Sequence, residues 1–206
     1  MTIRTLDEVE ARLAATSPWL DLDPAHLSAA VALVLRQRQE GLEMLFIRRA
    51  EHEDDPWSGD LAFPGGRVDP EDGADPRHAA ERETLEEVEL ELASARRLGR
   101  VSDVLGRAES ICVSCFVYGI DGDPPLRPNY EVREAFWSPV SHCTDPARQL
   151  TREFRYRDQT IRLPAIRLLE DDRAPVLWGI TYKLVDHFME AVGEPIPFMD
   201  WDEHNV

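Results

Sequence analysis

Four glutamates, Glu81, Glu83, Glu86 and Glu87, crowd into seven positions of the stretch "ERETLEEVEL". Like charges at that density repel, so the arrangement asks for a positive partner. At about 100° per residue in a helix, with Glu83 at zero, Glu87 falls near 40° and Glu86 near 300°. Three carboxylates then share an arc of roughly 100° on one face. Oxygen-rich sites of this kind suit magnesium or manganese, hard cations that keep several waters and also take substrate phosphates. Such an ion would cancel the repulsion, polarise a phosphoryl oxygen and lower the pKa of a bound water. Plain solvation of an acidic helix face explains the same residues without a metal. What favours the metal is the preceding loop, "FPGG", which sets glycine backbone beside the helix, where the peptide group of Gly66 can approach phosphate or metal closely.

The elements that must position these groups are legible from spacing. A helix starting at Asp75-Pro76, with aspartate as N-cap and proline in the first turn, carries the glutamates. Ala79 and Ala80 lie on the carboxylate side one turn earlier, leaving room for a ligand, and Leu85 and Val88 lie elsewhere as anchors to a core. Ahead of the loop, "LSAAVALVLRQ" and "LEMLFIRRA" read as a hairpin turning at Gly41. "LDEVEARLAAT" (6–16) has helical spacing at Leu6, Val9 and Leu13. Downstream, "SARRLGRVSDVL", "SICVSCFVYGI" and "EVREAFWSPV" read as strands and "REFRYRDQTIRLPAI" as a second hairpin. A last helix keeps apolar spacing from Thr181 to Val192 and stops at Gly193. This mixed order predicts an α/β (α+β) fold, a mixed β-sheet sandwiched between helices.

The chain has 206 residues, 43% hydrophobic and 31% charged, enough for one domain over 1–206, with 1–27 as an N-terminal helical extension and 194–206 as a C-terminal tail. Forty acids against 23 bases give a formal charge of −17, which argues against a nucleic-acid partner. No apolar run is long enough to span a membrane. "MTIRTLDEVEARLAA" carries acids and no apolar signal core, so a cytoplasmic location is the expectation. Cys112 and Cys115 form a C-x-x-C on a strand, where residues three apart face opposite ways, so redox or zinc chemistry is disfavoured against simple burial.

"GGRVDPEDGADPRHAAERETLEEVEL" resembles the Nudix box, G-x5-E-x7-R-E-U-x-E-E-x-G-U, with U a large aliphatic residue. Gly66 matches its opening glycine, and Arg82, Glu83, Glu86, Glu87 and Leu90 its second half. The resemblance implies a Nudix fold with a loop-helix-loop motif, Mg²⁺ or Mn²⁺ on the helix glutamates, and hydrolysis of a diphosphate linked to another moiety. It makes Glu83 and Glu87 the main ligands, Glu86 the ligand of a further metal, and Arg82 a residue that orients a glutamate. The sequence departs from the box in three places. Gly66 lies two residues too far from Arg82, leaving Asp72 nearest to the first box glutamate; Thr84 replaces an aliphatic residue; and Glu89 replaces the late glycine, so the helix is expected to run on towards Leu92. The family often places a further glutamate, as base or ligand, before the tryptophan-bearing strand. In "NYEVREAFW", Glu131 is favoured, with Glu134 second, and either could be an idle surface carboxylate.

"LFIRRAEHEDDPWSGDLAFPGG" partly resembles the coenzyme A pyrophosphatase branch, L-L-T-x-R-[SA]-x3-R-x3-G-x3-F-P-G-G. Arg49-Ala50 and Gly59-x3-Phe63-Pro64-Gly65-Gly66 match; the interval between them is one residue longer and lacks the arginine, with Asp54 or Asp55 nearby. "LPAI" and "LWGITYKLVDHF" also resemble the end of that branch. On this resemblance Arg49, Phe63 and Gly65 would contact substrate. Between 148 and 167, six arginines stand against Glu153 and Asp158, a local excess of 6 − 2 = +4 that could gather polyphosphate through Arg155 and Arg157. The alternative is that those two form the wet face of a hairpin, with Phe154 and Tyr156 inward. Coenzyme A or its acyl derivatives lead as substrates, followed by ADP-ribose, NADH and dinucleoside polyphosphates. A Nudix-fold binding module that no longer cleaves is the rival reading. Homodimers are common in the family, and a homodimer is compatible with the sequence.

Overall fold

A computed structural model describes residues 3–23, 25–51, 58–73, 75–106, 111–156, 159–171 and 173–197. Its centre is β1 (Leu27–Arg38), which joins β2 (Gly41–Arg49) through a tight antiparallel turn, with Arg38 opposite Gly41. β1 also runs parallel to β7 (Ile111–Ile120) along ten residue pairs, so the sheet is mixed. β5 (Arg96–Arg100) and β6 (Val104–Gly106) pair antiparallel with successive parts of β7, and β8 (Val132–Pro139) pairs with β2.

β1 and β2 stay paired only from Leu35 onward. Beyond that they splay, and the wedge between them is filled by β3 (Leu61–Ala62), on β2, and β4 (Gly65–Arg67), on β1. The glycine-rich loop is therefore woven into the sheet. The Ala32 amide donates to the Pro64 carbonyl at 2.9 Å and the Val68 amide to the Ser28 carbonyl at 2.9 Å.

β1 is apolar on both faces because both are covered, as a strand inside a sandwich must be. Ala30, Ala32 and Val34 face α2 (Pro76–Val88), together with Leu45, Ile47 and Tyr118. Leu33 and Leu35 face the other core, built with α1 (Leu6–Ala14) and α3 (Gly179–Ala191). The small residues on the α2 side let that helix sit close to the sheet. This is the mixed sheet between helices that the element order predicts.

α1 begins with a capping box between Thr5 and Glu8 and buries Leu6, Val9 and Leu13, so the N-terminal extension belongs to the main core. The chain then crosses β5 and β6, where the Trp19 amide donates to Ser102 Oγ at 3.0 Å and the Asp21 amide to Asp103 at 2.9 Å. A separate hairpin, β9 (Gln149–Tyr156) and β10 (Gln159–Ile166), packs near α3. No helix among the described residues is long and apolar enough to cross a membrane. Cys115 lies in the α1/α3 core, whereas Cys112 is not part of that cluster; both are buried and free, with thiols pushed up to about 12 chiefly by burial. The diverging thiols match the strand geometry.

Candidate active site

α2 starts as its sequence dictates, with an Asp75 carboxylate accepting from the Arg77 amide at 2.9 Å. Its packing corrects two expectations. Ala79 and Ala80 are fully buried against the sheet and leave no opening for a ligand, while Leu85 stands 43% exposed; Val88 is an anchor as expected. Thr84, at the aliphatic box position, is buried too, and its hydroxyl is satisfied by the Ala80 carbonyl at 2.7 Å.

The helix does not run on to Leu92. It stops at Val88 because Glu89 itself takes the left-handed conformation, φ 55° and ψ 33°, that the missing glycine would have adopted. Tertiary contacts hold that stop. The loop between β7 and β8 donates its Asn129 amide to the Glu87 carbonyl and its Arg127 amide to the Val88 carbonyl, both at 2.9 Å, and Arg127 pairs with Glu89 at 3.1 Å.

Against this helix lies β4. The Gly65 amide donates to Glu87 Oε2 at 2.9 Å. A Cβ on Gly65, at φ 149°, would stand 2.6 Å from Val31 Cα, so that position needs glycine, while one on Gly66 would stand 2.5 Å from the Glu83 carboxylate carbon and would push that side chain aside. Gly66 thus brings bare backbone against a carboxylate.

Arg82 braces the cluster. It grips Asp72 with two nitrogens, at 3.0 and 3.1 Å, reaches Glu83 at 2.9 Å and Glu86 at 3.5 Å, and donates to the Arg67 carbonyl at 3.2 Å. These contacts place Arg82 against two of the helix carboxylates. A 3-10 turn, Pro70–Asp72, closes on Gly73 in the left-handed region and delivers Asp72 to Arg82, with the two extra box residues lying between Asp72 and Arg82. Arg82 in turn holds the Asp72 carboxyl below its ordinary range.

Burial pushes the Glu87 carboxyl up to about 8; the Gly65 amide and Arg49 oppose the rise, and Glu83 and Glu131 add to it. Glu83 is raised as well, first by burial, then by Glu86 and Glu131, against the pull of Arg82. Glu131 therefore lies within electrostatic reach of the two helix carboxylates. Glu134 pairs in register with Arg48, two positions beyond Glu131's neighbour Val132 and across a bulge, alongside Phe136 of the opposite core. Among the described residues, no three His, Cys, Asp or Glu side chains already enclose a common metal position. The carboxylates are gathered, with Arg82 drawing Glu83 and Glu86 to itself.

The substrate-contact expectations divide. Arg49 is close enough to Glu87 to lower its pKa, so it stands beside the cluster. Phe63 does not: it is 2% exposed, with its ring stacked on Phe46 at 5.1 Å, and it serves as packing under the loop. The Arg155 side chain and all of Arg157 lie outside the described residues. The charge excess around them is smaller than composition implies, since Arg148 pairs with Glu170 and Arg152 with Asp60 at 2.8 Å, both acids from outside the segment. Phe154 packs on Trp178, with centroids 5.1 Å apart. Sequence reasoning passed over Asn129, whose side chain accepts from the Glu131 amide at 2.8 Å and sets that glutamate's approach. An Asx turn in "NYE" was the available signal.

A loop-helix-loop with a carboxylate face, laid against a glycine strand wedged into a mixed sheet, is the architecture of the Nudix class. A Nudix domain model matches residues 25–157, and the chain belongs to the Nudix family. It is 26% identical over 179 residues to the probable nudix hydrolase C6G9.05 of Schizosaccharomyces pombe, covering 85% of this chain and 60% of that protein. It therefore spans about three fifths of the yeast protein's length. It is 33% identical over 147 residues to the mouse mitochondrial coenzyme A diphosphatase NUDT8, covering 69% of each. Among solved structures it is similar to a Caenorhabditis elegans Ap4A hydrolase binary complex, at 20% identity and a TM-score of 0.48, over 56% of this chain and 81% of that one.

Proposed function

We propose that the protein is a metal-dependent pyrophosphohydrolase that cleaves the diphosphate of a nucleoside diphosphate derivative, with coenzyme A or acyl-coenzyme A as its substrate. The observation that carries the reading is Glu87: 4% exposed, on a glycine amide, within electrostatic reach of Glu83 and Glu131, and pushed up to about 8 by burial. A divalent cation reverses that state, because an adjacent positive charge favours the carboxylate. Glu83, Glu86 and Glu87, with the Gly66 backbone, are hard oxygen donors fitted to Mg²⁺ or Mn²⁺. Bound there, the metal supplies Lewis-acid polarisation of a phosphoryl oxygen.

The chain's own groups do the rest. Arg82 sets the Glu83 and Glu86 carboxylates, and Asp72 fixes Arg82. Glu131, placed by Asn129 at the open side, accepts a proton from the attacking water. Arg49, beside Glu87, binds the diphosphate. The likeness to the NUDT8 proteins and the Gly59-x3-Phe63-Pro64-Gly65-Gly66 match favour coenzyme A as the nucleotide.

The test is turnover of coenzyme A, 3′-dephospho-coenzyme A, ADP-ribose and NADH with Mg²⁺ or Mn²⁺, products resolved by mass. Cleavage within the diphosphate is expected. Coenzyme A should exceed its dephospho form by about ten- to a hundredfold in kcat/KM, the scale of one charge-assisted phosphate contact. Arg49→Ala should lower both alike, since both share the diphosphate. Equal rates for the two compounds would remove the coenzyme A assignment and leave the diphosphatase; no turnover of any would remove both.

A further inference from the structure

β2 ends beside the carboxylate cluster. Its pairing with β8 slips between Arg48 and Arg49, and Arg49 stands opposite Val132, the neighbour of Glu131. At this bulge two bonds to other segments hold the strand end. The Ala50 amide donates to the Glu131 carbonyl at 2.7 Å, and the Arg49 amide to the Asp60 carbonyl at 3.0 Å. The Asp60 carboxylate, 14% exposed, is held in turn by Arg152 of β9 at 2.8 Å. Arg152 lies over the Trp178 ring at 4.2 Å, and Phe154 of the same strand packs on that ring too. Trp178 immediately precedes α3, and its neighbour Leu177 exchanges backbone bonds with Ile166 at 2.8 and 2.9 Å. A line of contacts therefore runs from the start of α3 through Trp178, Arg152 and Asp60 to Arg49.

An acid next to an anion-binding arginine is unfavourable as a charge, because it repels the ligand. Pairing with Arg152 neutralises Asp60 and fixes its direction. Arginine suits that place, since a planar guanidinium can stack on an indole and donate to a carboxylate at once, whereas a lysine ammonium is a point charge without that fork. A partly exposed ion pair contributes little to stability. What this one supplies is geometry: a group that must meet a ligand works only when its own backbone is held in place.

We propose that Asp60 and Arg152 are a positioning pair: Arg152, seated on Trp178, holds Asp60, and Asp60 holds the end of β2 so that Arg49 meets the diphosphate. The proposal rests on the diphosphatase reading for the identity of the ligand, and its test does not require turnover. Binding of imidodiphosphate, an uncleaved diphosphate, is measured by calorimetry at fixed Mg²⁺. The proteins are wild type, Arg49→Ala, Asp60→Asn, Asp60→Glu, Arg152→Gln and the double variants, each with its Tm. Arg49→Ala should weaken binding by about ten- to a hundredfold, the scale of one charge-assisted contact. Asp60→Asn should weaken it by about three- to tenfold, although it removes a negative charge, and Asp60→Glu should restore most of the loss. Asp60→Asn should cause no further loss when added to Arg49→Ala or to Arg152→Gln, because all three act on one contact.

Tighter or unchanged binding by Asp60→Asn would overturn the pair, since charge or stability alone would then describe Asp60. A lower Tm with binding unchanged has the same meaning. Additive losses would overturn it too: with Arg49→Ala they would show that Asp60 acts elsewhere, and with Arg152→Gln that Arg152 touches the ligand itself. A wild type that shows the expected couplings but cleaves no diphosphate would remove the hydrolase reading and leave the pair standing. Turnover by wild type without those couplings would do the reverse.

Discussion

Arg82 holds the carboxylate face in shape, and Asp72 holds Arg82. The pair is two-pronged and Asp72 is 4% exposed, so Asp72→Asn should cost about 1–3 kcal/mol by weakening a charge-assisted contact in a buried setting. The sign with pH follows from the direction of the shift. The Asp72 pKa is depressed on folding from its ordinary 3.8, so its stabilisation is fully present above that value and is lost as pH falls through the lower folded value. The difference in Tm between wild type and Asp72→Asn should therefore be constant near neutral pH and shrink below about pH 4. A constant difference down to pH 2 would mean that charge is not what Asp72 contributes. The box arginine and glutamates were legible as a motif. The partner of Arg82 was less so: Asp72 keeps the box's spacing from Gly66, but it is an aspartate where the box has glutamate and nine residues instead of seven separate it from Arg82.

At the scale of elements, the stop of α2 shows how a local rule yields to packing. A glutamate in the left-handed region is strained by its Cβ, and the helix ends there because the β7–β8 loop caps the Glu87 and Val88 carbonyls. Glu89→Gly should relieve that strain. Its surface pair with Arg127, more than half exposed on both sides, offers little to lose. A gain of ~0.5–1 kcal/mol is expected, a rise in Tm of about 1–4 °C with turnover unchanged. A lower Tm would show that the Arg127 pair outweighs the backbone term. Periodicity and turn residues marked the helices and both hairpins, because those signals are local. The wedge between β1 and β2 escaped them, since strand splay depends on pairings far apart in sequence. Phe63 was misjudged for the same reason: its burial against Phe46 appears only once β3 and β4 enter the sheet.

At the scale of the whole molecule, a chain of charge −17 is read as acting on an anionic substrate, and the fold concentrates the difficulty at one place. Small residues on β1 let α2 approach, the splayed strands admit the glycines, and the β7–β8 loop adds Glu131, all around Glu87. Composition disclosed the charge, but which acids converge was set by tertiary structure. Burial raises the Glu87 pKa from 4.5 to about 8, so in the metal-free fold its ionisation opposes stability increasingly as pH rises through that window. A neutral glutamine is therefore compatible with folding. The decisive measurement is turnover of the preferred diphosphate by Glu87→Gln at saturating Mg²⁺, alongside its thermal unfolding at pH 8. A loss of about 10²–10⁴-fold in kcat with Tm unchanged or raised is predicted. An unchanged rate in a folded variant would contradict the assignment of the α2 carboxylates as the catalytic metal site.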